Sequence, residues 1–161
     1  MKYILLDIDN CISDDAWRIP RIAWQHTDKM RRYHDYHLLS GFDRCVNRHL
    51  FQSPLTKIVL LTGRPVMYYA LTEEWLRREA SIERFTLLMR NNYDFRSSVE
   101  VKRSQLGWLS EYGIHLSNVV MAYDDRQEIV TMYKEFGLNA KVVNIHNQDA
   151  YHNPLTQENA L

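Results

Sequence analysis

The chain has 161 residues, 45% hydrophobic and 25% charged, and its 20 basic residues balance 20 acidic ones. That size suits a single domain with a buried core, and the balanced charge excludes a global field toward nucleic acid or membrane, so any polyanion site is a local patch. Two cysteines, Cys11 and Cys45, offer neither a disulfide framework nor a zinc spacing; the apolar run before Asp7 is too short for a signal peptide, so a cytoplasmic protein without membrane contact is expected.

Residues 3–6 and 8 form a short continuous apolar run, the pattern of a strand buried on both faces. Asp7 and Asp9 stand at its end. Two close carboxylates repel and are costly to desolvate together, so the pair calls for a cation or a shared proton, and hard oxygen ligands suit magnesium. A polar loop that happens to hold two Asp fits the pair alone equally well. Residues 12–53 break the pattern: a polar stretch reaches Pro20, and 21–39 are dense in aromatic, basic and histidine side chains with a helix expected over part. In 42–51, Phe42, Cys45, Val46, His49 and Leu50 are spaced as a helix face, stopped by Ser53-Pro54.

Residues 57–61 form a second apolar strand that runs into Thr62, Gly63 and Arg64, followed by a helix striped with Met67, Leu71, Trp75 and Leu76. A short strand at 85–89, a loop at 91–96 and a helix marked by Val99, Lys102, Leu106 and Leu109 come next, with Gly113 as its stop. Residues 118–125 repeat the opening theme, an apolar strand ending in Asp124 and Asp125. A helix carrying Ile129, Val130, Tyr133 and Phe136, a last strand at 141–145 and a polar tail at 147–161 complete the chain. Alternation at this spacing predicts an α/β fold: a doubly wound parallel sheet in one domain over 1–161, with 12–53 inserted as a small helical cap above the active edge.

The order Asp7 and Asp9, Thr62, Lys102, then Asp124 and Asp125 resembles the haloacid dehalogenase superfamily of phosphatases across roughly 2–145. The resemblance implies Asp7 as nucleophile and Asp9 as general acid and base. It implies Thr62 and Lys102 as catalytic supports of the phosphoryl group and nucleophile, and magnesium held by Asp7, the Asp9 carbonyl, Asp124 and Asp125. Thr62-Gly63-Arg64, 99–102 and the run from Tyr123 to Gly137 are similar, more narrowly, to the 3′-phosphatase domain of phage polynucleotide kinase/phosphatase. That likeness implies substrate contacts from Arg18, Gly63, Arg64 and Arg126, and guanidinium forks suit phosphate.

Three positions depart from the pattern: Cys11 stands where Thr or Val is usual, Ser98 where relatives often carry Asp, and no GxxxxGK[ST] loop is present to imply a kinase activity. The expected substrate is a phosphorylated nucleic-acid end, with removal of 3′-phosphates foremost; a mononucleotide 5′(3′)-nucleotidase and a non-catalytic phosphate-binding protein are the alternatives. No obligate protein partner is expected. Segment 21–51 reads either as a stacking and charge surface for bases and phosphates or as a cap whose aromatics pack on the core.

Overall fold

Continuous apolar runs make strands whose two faces both need covering, and the computed structural model, which describes residues 1–145, shows how this is met. In chain order the elements are β1 (Lys2–Leu6), β2 (Ser13–Asp14), α1 (Lys29–Leu38), β3 (Arg44–Cys45), β4 (Thr56–Pro65) and α2 (Tyr69–Arg78). Then come β5 (Phe85–Arg90), α3 (Ser98–Trp108), β6 (Val119–Asp124), α4 (Gln127–Glu135) and β7 (Ala140–Val142). Five strands form one parallel sheet in the order β5-β4-β1-β6-β7. The polar tail expected at 147–161 lies outside the described residues.

Alternate residues of β1 serve opposite faces. Ile4 and Leu6, with Ile8 just beyond, pack with Trp75 and Leu76 of α2, whereas Leu5 packs with Leu106 of α3 and Ile129, Val130 and Tyr133 of α4. Each fully buried Leu or Ile contributes roughly 2 kcal/mol relative to exposure, so the two-sided core holds β1 at the centre. From that centre the chain winds outward on both sides, which makes the carboxyl edge of β1 the switch point where a crevice opens. Among the described residues no helix is long and apolar enough to cross a membrane.

The segment between β1 and β4 differs from expectation in one place. The helix read over 42–51 is absent: a 3₁₀ turn covers Leu39–Phe42, β3 pairs antiparallel with β2, and a second 3₁₀ turn covers Arg48–Leu50. Asp43 is extended because its carboxylate is drawn inward to Arg18, and Asn47 takes a left-handed conformation (φ 54°) that no helix interior accommodates. Phe42, read as part of the buried face, is 80% exposed. The helix expected within 21–39 is α1, opened by Asp28, whose side chain accepts the Met30 amide at 2.9 Å.

Candidate active site

The chain after β1 turns so tightly that both leading carboxylates stay at the sheet edge. The Asp7 amide bonds Tyr123 O at 3.0 Å, and the amides of Ile12 and Ser13 both reach Ile8 O at 3.0 Å. Asn10 absorbs the turn at φ 58°, a conformation Asn tolerates better than most side-chain-bearing residues, and its Nδ2 donates to Asp125 Oδ2 at 3.0 Å. Cys11 is wholly buried, and burial together with the nearby Asp7 and Asp124 pushes its thiol well up, so it stays a neutral packing residue.

Asp7, Lys102, Asp124 and Asp125 form the first of two charge clusters. Lys102 Nζ donates to Asp7 Oδ1 at 2.7 Å and to Asp124 Oδ2. Gln105, on the same helix, donates to Thr62 O at 3.0 Å and to Leu88 O at 3.3 Å, which ties α3 to the ends of β4 and β5 and aims Lys102 at the edge. Burial opposes the Lys102 charge, but Asp124 and Asp7 outweigh it and hold the ammonium protonated well above its usual range. Burial, opposed by Lys102 and reinforced by Asp7, pushes Asp124 up to about 6; burial with Asp7 and Asp124 also raises Asp125 well above the usual carboxylate range. One ammonium thus faces three carboxylates, and one ligating oxygen from each of Asp7, Asp124 and Asp125 lies within 4.8 Å of the others. An oxygen-only set with excess negative charge fits a small hard divalent cation.

Asp9 is the centre of the second cluster. Arg64 grips it with two bonds, Nε at 3.0 Å and Nη2 at 2.7 Å, and Arg18 Nη2 adds a third contact. Burial alone would raise the Asp9 carboxyl, yet Arg64 and Arg18 more than offset it and hold the group well below the usual carboxylate range. Arg18 is clamped in turn by Asp43, which accepts from its Nε at 2.9 Å and its Nη2 at 2.7 Å, and by Tyr36 O at 2.9 Å from Nη1. Asp43 also accepts from Trp17 Nε1 at 2.9 Å and from Ser13. Thr62 Oγ1 accepts the Arg64 amide at 3.1 Å, which leaves its own proton to donate elsewhere.

Asp7, Asp9, Thr62, Gly63, Lys102, Asp125 and Arg126 line one cleft of about 460 Å³. Arg18 and Arg64 are enclosed behind its wall, on Asp9, and Asp124 lies beneath the floor, on Lys102. Arg126 Nη1 donates to Ser98 Oγ at 3.3 Å, so Ser98 meets the turn after β6 and not the lysine. A Cβ at Gly63 would sit 3.6 Å from Arg90 Nη2, an ordinary contact, so space does not require glycine there. One wall is aromatic, with Trp24, Tyr33, Tyr36, His37 and Tyr68, while Lys29, Arg90, Arg96 and Arg126 supply cations. Arg90 steadies the 91–96 loop, donating to Asp94 O at 2.8 Å and Arg96 O at 2.7 Å.

Sequence reasoning passed over Asp15 and Asp43, and read Tyr36 only as one of the stacking or packing aromatics of segment 21–51. Tyr36 OH donates to Asp15 Oδ2 at 2.6 Å, and burial with the Asp9 charge pushes Asp15 up to about 7. No spacing signals these residues, because each sits in irregular chain between β1 and β4 or on a helix without a clean stripe.

Residues 1–149 match the family described as the polynucleotide kinase PNKP phosphatase domain. The fold is similar to a chain of the Pnkp1/Rnl/Hen1 RNA repair complex, 24% identical with a TM-score of 0.65 over 91% of this chain and 43% of that one. A second structure of the Pnkp1/Rnl/Hen1 complex gives 23% identity and a TM-score of 0.64 over 89% and 46%. A Thermotoga maritima protein assigned as a beta-phosphoglucomutase gives 15% and 0.58 over 98% and 91%. This chain therefore spans less than half the length of the two repair-complex chains. No curated protein matches it. With the family match running through nearly the whole sequence, the chain belongs to the PNKP-type phosphatase domains of the haloacid dehalogenase superfamily.

Proposed function

We propose that the domain removes phosphate from the 3′ ends of polynucleotides through a phospho-aspartyl intermediate on Asp7. The observation that carries this reading is the single cleft in which the Asp7 and Lys102 cluster meets an aromatic wall and a cationic rim. Phosphomonoester chemistry needs the first, and a strand of bases and phosphates needs the other two.

Asp7 attacks phosphorus and the ester oxygen leaves with its bond electrons. Thr62, whose hydroxyl proton is not used by Arg64, donates to a phosphoryl oxygen, and Lys102 balances charge on the nucleophile. Asp9 is held ionised by Arg64 and Arg18, the form that takes a proton from the water that attacks phosphorus in the second step, when the bond between Asp7 and phosphorus breaks and inorganic phosphate leaves. In the first step the phosphate monoester, arriving as its monoanion, raises the proton affinity of Asp9 and supplies the proton that Asp9 passes to the leaving alcohol. Asp7, Asp124, Asp125 and the Asp9 carbonyl would hold magnesium, which when bound supplies charge neutralisation between carboxylates and phosphate.

The test is inorganic phosphate release from a short oligonucleotide phosphorylated at its 3′ end, beside the same strand phosphorylated at its 5′ end, with and without magnesium. Magnesium-dependent release from the 3′ end, lost in Asp7→Asn, is the expected result. Release from mononucleotides alone would replace the polynucleotide reading with a nucleotidase.

A further inference from the structure

Five buried side-chain atoms have no hydrogen-bond partner among the described residues, and three of them belong to residues that line the cleft: Asp15 Oδ1, His37 Nδ1 and Arg126 Nε. Arg126 stands with the cations that suit phosphates. Asp15 and His37 belong to the aromatic wall, where the opposite chemistry prevails. Asp15 is 5% exposed, and its other oxygen is taken by Tyr36 OH. The His37 ring is packed between Tyr36, with ring centres 5.1 Å apart, and Tyr68, at 5.0 Å. Burial moves its protonation down to about 3, so the imidazole is neutral.

A buried polar atom without a partner costs free energy that a complementary ligand recovers. A phosphate does not suit this wall, since it would face the Asp15 carboxyl beside the charge of Asp9. A cation has no opening either, because the Arg18 guanidinium already lies 4.1 Å over the Tyr36 ring and pairs with Asp9. What remains is a group that donates and accepts while uncharged, a hydroxyl. Its place follows from Arg18, which links the two sides: it touches Asp9, stacks on Tyr36, and Tyr36 bonds Asp15. Asp9 serves the leaving oxygen, so this wall faces the leaving alcohol and not the phosphoryl group held by Thr62 and Lys102.

Resting on the phosphatase reading above, we infer that Asp15 and His37 form a sugar-hydroxyl subsite that binds the hydroxyl next to the ester oxygen, selecting ribose-ended over deoxyribose-ended 3′-phosphates. The 2′-hydroxyl is the one group that separates the two substrates at this position. Tyr36 positions Asp15, and the aromatic neighbours hold the imidazole in place.

The experiment compares kcat/KM for two 3′-phosphorylated oligonucleotides that differ only in the terminal sugar, using the full chain with magnesium. The expected preference for ribose is about tenfold or more, as for a buried hydrogen-bonded hydroxyl. Asp15→Ala and His37→Phe each bring the ratio below about threefold, with most of the loss on the ribose-ended strand. Asp15→Asn, which keeps shape and hydrogen-bonding capacity, retains more of the preference than Asp15→Ala and guards against a folding defect. Absence of a preference in the unmodified protein, or equal losses on both strands in the variants, overturns the subsite. The same pair of sugars is run as nucleoside 3′-monophosphates: a ribose preference there, without release from either oligonucleotide, retains the subsite and removes the polynucleotide reading. No release from any 3′-phosphate removes both.

Discussion

Replacing Asp43 by Asn deletes one negative charge from an enclosed cluster while keeping its shape. Asp43 is 2% exposed and faces Arg18, which is wholly buried. Its carboxylate accepts from Arg18 Nε at 2.9 Å, Arg18 Nη2 at 2.7 Å, Trp17 Nε1 at 2.9 Å and Ser13. Removing one partner of a buried ion pair costs about 3–5 kcal/mol, since the remaining charge stays desolvated. Arg18 keeps Asp9 and the Tyr36 carbonyl, and Asn keeps one acceptor oxygen, so the lower end, about 3 kcal/mol, is expected. For a chain of this length that lowers Tm by roughly 6–12 °C. Urea denaturation of Asp43→Asn, Arg18→Met and the double variant measures it, with the midpoint moving at constant m-value. The double variant should lose less than the sum of the single losses, by about 2 kcal/mol, because removing Arg18 first leaves Asp43 only the longer charge contact to Arg64 at 3.9 Å. A single-variant loss under about 1 kcal/mol, or strict additivity, would refute the view that Asp43 is the counter-ion that anchors Arg18.

Two further outcomes are expected. Asp9→Asn should slow hydrolysis of an alkyl phosphate far more than that of p-nitrophenyl phosphate, whose leaving group hardly needs a proton; equal losses on the two would count against Asp9 as the acid. Asp15 is raised from 3.8 to about 7 in the fold, so the folded protein holds a proton there that the unfolded chain gives up, and stability falls as pH rises through that window. Asp15→Asn removes the dependence, so its stability relative to the unmodified protein should climb between about pH 4 and 7, by up to roughly 1.4 kcal/mol per pH unit, and level off above. Parallel pH curves for the two proteins would contradict this.

The fold was legible from the order of apolar runs because a strand buried on both faces tolerates few polar residues, and polar residues at its end therefore mark an edge. Residues 3–6, 57–61 and 118–123 carry that signal, and the carboxylates and Thr62 that follow them lie at one crevice because parallel strands share one carboxyl edge. Lys102 was legible only through its order after them; its approach to Asp7 depends on Gln105 fixing α3 against β4 and β5. The chain between β1 and β4 was different. Helical spacing over 42–51 described neighbours along the sequence, whereas the structure is governed there by one long-range pair, Asp43 with Arg18, and by the left-handed Asn47. Local pattern thus determined which residues belong to the sheet and which end its strands. Tertiary structure alone decided that Arg18 and Arg64 turn inward onto Asp9 and that Asp15 and His37, which line the cleft, each keep a buried atom without a hydrogen-bond partner, because both outcomes follow from burial and charge partners far apart in the chain.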